Sequence, residues 1–80
     1  MLLKYIATAM HKAHYEFLTN DKKYYGEIPE CKGVYAYART LEECRDELEE
    51  VLEEWLLFRV YKKLDVPVIG GVKLEVKEVS

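Results

Sequence analysis

An α+β domain is what this sequence predicts: a three-stranded antiparallel sheet backed by helices, with an extra C-terminal strand. Three observations carry that reading. Apolar residues recur at steps of three and four up to Ala13 and then alternate from His14 to Ala38. Thr40 followed by Glu43 is a capping signal, and it opens an acidic, leucine-rich run that meets no Gly or Pro before Pro67. Beyond Gly70-Gly71, Val72, Leu74 and Val76 alternate with Lys73, Glu75 and Lys77, the pattern of a half-buried strand. On this reading residues 1–80 form a single domain.

The elements follow in order. Leu2, Leu3, Ile6, Ala9, Met10 and Ala13 predict an amphipathic helix over 2–13. "HYEFLT" predicts a strand over 14–19 with Tyr15 and Phe17 on one face, and "NDKK" supplies polar turn residues after it. In the next strand, 24–28, Tyr24, Gly26 and Ile28 oppose Tyr25 and Glu27. In the third, 34–38, Val34, Ala36 and Ala38 oppose Tyr35 and Tyr37. The joining "PECKG" has the length of a hairpin loop. One sheet face is therefore small and apolar, open to close approach by helices. The other carries Tyr25, Tyr35 and Tyr37, as cross-strand partners of one another or as a surface for a ligand or partner.

The long helix is expected over 40–64, with Leu41, Cys44, Leu48, Val51, Leu52 and Trp55 as its buried stripe. Its length of ~36 Å exceeds the ~17 to 20 Å of a strand of five or six residues. The helix outruns its sheet, and in the overhanging part Trp55, Leu56, Leu57 and Phe58 are four consecutive apolar residues. At ~100° per residue, Leu57, Val60, Tyr61 and Leu64 cluster opposite Leu48 and Trp55, so the buried side is expected to switch near Phe58. A second copy of the chain is the expected cover, making a homodimer or a higher even oligomer. The alternative is that the N-terminal helix folds over this stripe within one chain.

Composition narrows the functional classes. Half of the 80 residues are apolar, seven are tyrosines, and the net charge is −3, which favours a packed globular domain over disorder. No run approaches the roughly 20 apolar residues that span a bilayer, so no membrane association and a cytoplasmic location are expected. Without a basic stripe, direct nucleic-acid binding is not expected. Cys31 and Cys44 match neither a disulfide framework nor a zinc spacing and read as reduced thiols.

From Glu42 to Glu54 the acids Glu42, Glu43, Asp46, Glu47, Glu49, Glu50, Glu53 and Glu54 face a single base, Arg45. Such a surface suits a basic partner, with Glu49 and Glu53 as candidate contacts. It is also what the dipole of a solvated helix favours, with acids early and Arg59, Lys62 and Lys63 late. His11 and His14 lack a third ligand at metal-binding spacing. Glu16 and Glu27 are the carboxylates on the three neighbouring strands over 14–38, too few for a metal-dependent nuclease. No nucleophile–His–acid order or phosphate-binding glycine loop is present. The expectation is a protein that is not an enzyme, with no catalytic residues, metal or cofactor.

The stretch "YYGEIPECKGVYAYARTLEECRDELEEVLEEWL" resembles the HicB family of antitoxins, and the likeness covers residues 14–64. It rests on an aromatic strand leading to Pro29-Glu30, a loop closed by Gly33, a second strand, and Thr40 with Glu42 and Glu43 opening an acidic helix. The resemblance implies a degraded ribonuclease-H-like core without a nuclease centre. It also implies a partner, a small basic HicA-like toxin that cleaves messenger RNA and is neutralised by binding. Cys31, Lys32 and Val34 depart from the residues common in that family, and the helix over 2–13 is an added element. Residues 65–80 are too short for a helix-turn-helix module, so operator binding is not expected. A stand-alone oligomeric interaction protein of the same fold, without a toxin, is the alternative.

Overall fold

The computed structural model describes residues 2–72. Helix α1 spans Leu2–His11; strands β1, β2 and β3 span His14–Leu18, Lys23–Glu27 and Tyr35–Ala38; helix α2 spans Leu41–Tyr61. The strands form one antiparallel sheet in the order β1-β2-β3. This is the α+β class that the sequence predicts. The tail strand predicted over 72–79 lies outside the described residues except for Val72, which makes an isolated bridge with Ile69.

Register decides the two faces. Tyr15, Gly26 and Ala36 lie across from one another, as do Phe17, Tyr24 and Ala38; between these rows lie Glu16, Tyr25 and Tyr37, and beyond them His14, Glu27 and Tyr35. Because side chains alternate, the first two rows share one face and the last two the other. Ala36 and Ala38 are buried while Tyr35 and Tyr37 are half exposed. The helices therefore cover the small-residue face. Gly26 marks the closest approach: a Cβ there would sit 2.9 Å from the Tyr15 ring and 3.1 Å from Cys44 Sγ. Tyr5, Ile6, Ala9 and Met10 of α1 join the same core as Ile28, Val34, Cys44 and Leu48, and Ile69 is buried with them.

Helix α2 starts where the sequence predicts. Thr40 is its N-cap, and its side chain accepts from the Glu43 backbone N–H at 3.1 Å. The helix ends earlier than the expected 64. The Lys63 N–H donates to the Val60 carbonyl and the Leu64 N–H to the Arg59 carbonyl, with Lys63 at φ 57°. This is the Schellman termination, with lysine in the left-handed position usually held by glycine. Arg59 Nε then donates to the Asp65 carbonyl at 2.6 Å and the Tyr5 hydroxyl donates to the Pro67 carbonyl. The returning chain is thus held against the body of the domain.

The buried stripe of α2 also differs from expectation. Its fully buried residues are Cys44, Leu48, Leu52 and Leu56, at steps of four. Leu41, expected within the stripe, is 47 % exposed, whereas Leu56 is 1 % exposed. Val51 and Trp55 are half-buried on its flank. Each step of four advances about 40° beyond a full turn, so the buried line drifts steadily around the helix. Val60 is half-buried on the same line and Leu64 ends it, exposed. The expected abrupt switch near Phe58 is therefore replaced by a gradual drift, and Val60 extends the core line rather than opposing it.

Candidate functional site

Two surfaces carry the candidate residues. The first is the outer face of the sheet. Tyr25 and Tyr37 are cross-strand partners with ring centroids 5.0 Å apart, and Tyr35 lies 6.3 Å from Tyr25 and 6.1 Å from Tyr37. These separations and tilted planes are those of interacting aromatic rings. The Tyr25 hydroxyl donates to Glu27 Oε2 at 3.0 Å. Burial, and then this hydrogen bond and the charge of Glu27, raise the Tyr25 hydroxyl above its ordinary pKa. Glu16 and His14 share this face by alternation.

The second surface is the solvent side of α2. Glu49 and Glu53 are exposed there, and at steps of four they lead directly to Leu57 and Tyr61, which are 65 % and 81 % exposed. The neighbouring row holds Asp46, Glu50, Glu54 and Phe58, the last 56 % exposed. Helix α1 packs against α2 but leaves Leu57 and Tyr61 uncovered. The acids and the apolar overhang, nominated separately from the sequence, thus form one continuous strip. The tyrosines do not join it, because they lie on the opposite side of the sheet. Phe58 is the apolar residue of this strip that the period argument left out; the unbroken run Trp55–Phe58 was its signal.

The beginning of the overhang is marked by Trp55 and Arg59, whose guanidinium carbon lies 4.8 Å from the indole centroid. Both line a shallow cleft with Glu30 and Lys32 of the β2–β3 loop and with Asp65, Val66 and Pro67. Cys31, at the centre of that loop, is buried, and burial pushes its thiol up to about 11. Cys44 is also free and buried, its pKa raised by burial and then by Glu47, and its thiol lies 3.6 Å from the Ala36 carbonyl. Thiols held protonated in this way are poor nucleophiles and metal ligands. Among the described residues no Asp, Glu, His, Lys or Arg is buried, and no group of three His, Cys, Asp or Glu is arranged to hold a metal ion. Nor is any described helix long and apolar enough to cross a membrane. The geometry offers contact surfaces of defined charge and hydrophobicity.

Residues 4–67 match the UPF0150-like family, a span that includes α1 from Lys4 onward, the whole sheet and all of α2. The chain belongs to that family. UPF0150-like proteins are small, HicB-like and of antitoxin type. Helix α1, an added element in the resemblance over 14–64, lies within the UPF0150-like span from Lys4 onward. The chain is similar to the crystal structure of TTHA0281 from Thermus thermophilus, with a TM-score of 0.90 and 39 % identity over 96 % of this chain and 95 % of that one. No curated protein matches this UPF0150-like chain.

Proposed function

We propose that this UPF0150-like chain is an antitoxin module that binds and neutralises a small basic HicA-type toxin that cleaves messenger RNA. The observation that carries the reading is the solvent side of α2. Every acid from Glu42 to Glu54 is exposed, and Arg45 is the single base among them. A negative strip of this length attracts a basic RNA-binding surface, speeds its encounter and competes with RNA phosphates for the same cations. Neutralisation is then occlusion: the antitoxin covers the basic surface on which the toxin holds its substrate. Glu49 and Glu53 sit mid-strip and are the first contacts. Tyr25, Tyr35 and Tyr37 offer stacking for arginine on the far side of the sheet. The reading assigns no catalytic residue, metal or cofactor to the chain.

The test is binding of the product of an adjacent small basic reading frame by calorimetry at two salt concentrations, with Glu49→Lys/Glu53→Lys as the variant. The expected result is an affinity that falls with salt and falls again in the variant. An affinity indifferent to both moves the contact to the tyrosine face. A second reading, a stand-alone oligomeric interaction protein, is favoured by the exposed Leu57, Phe58 and Tyr61. A source genome with no small basic reading frame beside this gene would support it.

A further inference from the structure

We propose that two copies of this chain pair through the solvent side of α2, the helices antiparallel about a two-fold axis beside Leu57. The acidic stretch of each helix then faces the basic end of the other. This inference does not rest on the antitoxin reading; a second copy and a basic toxin compete for this side of α2.

Three observations carry it. Leu57, Phe58 and Tyr61 are each more than half exposed and adjoin one another on successive turns, with Leu64, 45 % exposed, beyond them. A patch of this kind on so small a domain marks an interaction site. Within the chain nothing described covers it: the segment after α2 is turned back by the Lys63 termination and tied down at Asp65 and Pro67.

The occupant follows from charge order. Read at steps of four, one row is Asp46, Glu50, Glu54, Phe58, Lys62: acid, acid, acid, apolar, base. Lys62 Nζ lies 5.6 Å from the Tyr61 ring centroid, so the basic end borders the apolar patch. A uniformly basic partner would meet Lys62 and Arg59 as like charges at this end. A second copy laid parallel would set acid against acid. Laid antiparallel, with the axis beside Leu57, Glu50 of each helix comes opposite Lys62 of the other, Glu54 comes opposite Phe58, and the two Leu57 side chains meet at the axis. The same strip then serves both subunits, as an isologous contact requires.

The test is sedimentation equilibrium of the full chain over a concentration series, for the native protein, Leu57→Glu, Glu50→Lys, Lys62→Glu and the double swap. The native chain should dimerise. Leu57→Glu should weaken self-association by more than roughly tenfold, with unchanged circular dichroism because the position is exposed. Each single charge reversal should weaken it several-fold, and the double swap should restore it. A native chain that is monomeric throughout, or a dimer indifferent to Leu57→Glu, overturns the proposal. A double swap weaker than both single variants overturns the antiparallel arrangement.

Discussion

The two parts of α2, Leu41–Leu56 and Leu57–Tyr61, both set apolar residues beside charged ones, yet they belong to different environments. From Leu41 to Leu56 the helix rests on β3 and β2, and the buried line Cys44, Leu48, Leu52, Leu56 separates cleanly from an acidic outer side. Past Leu56 it leaves the sheet beside the β2–β3 loop. Val60 keeps partial cover, and Leu57, Phe58 and Tyr61 are exposed. Hydrophobicity alone does not distinguish Leu56 from Leu57: one is 1 % and the other 65 % exposed. Their difference lies in what is underneath each of them.

The sharpest way to break this comparison is to truncate both halves alike. Leu52→Ala removes a fully buried side chain and is expected to cost about 2 to 5 kcal/mol, seen as a large fall in the urea midpoint. Leu57→Ala, measured at concentrations where the chain is monomeric, should stay within about 0.5 kcal/mol of the native protein. Equal losses would mean that the overhang is covered within one chain.

Alkaline titration probes the loop where the halves meet. The Cys31 thiol ionises near 11 when folded against an ordinary value of 9.0. Above the ordinary value the unfolded chain therefore binds fewer protons than the folded one, and stability falls as pH rises. The stabilisation is complete below about pH 9, and roughly 2 to 3 kcal/mol should be lost by about pH 11. The Tyr5 hydroxyl, raised by burial, adds loss of the same sign. Denaturant midpoints in Cys31→Ala should thus show a shallower, not a flat, pH dependence.

Smaller effects test the contact and ends of α2. Gly26→Ala crowds Cys44 and Tyr15 where the first half lies closest to the sheet, at an expected cost of about 1 to 3 kcal/mol in thermal unfolding. Thr40→Ala removes the N-cap acceptor and should cost about 1 kcal/mol, read by the same unfolding scan. At the other end, Lys63→Gly relieves a left-handed backbone and should stabilise by roughly 0.5 to 1 kcal/mol, raising the midpoint slightly.

Local rules made much of this molecule legible in advance. The alternation from Tyr24 to Ala38 assigned both sheet faces, because the period of two is a property of the strand itself. Thr40 with Glu43 located the start of α2, because a cap acts between near neighbours in the chain. The same sequence also marked Trp55–Phe58 as more apolar than one helix face can bury. What it left open depends on neighbours distant in sequence. Leu41 and Leu56 exchanged places because the buried line follows a drifting ridge over β3, not a straight stripe. The end of α2 escaped notice because its left-handed residue is a lysine, held by hydrogen bonds from Lys63 and Leu64 back to the last turn. That Glu49, Glu53, Leu57 and Tyr61 share one strip, with Tyr25, Tyr35 and Tyr37 on the far side of the sheet, was decided by the tertiary structure. Periodicity assigns a residue to a face of its own element; only packing determines which faces meet and which remain open.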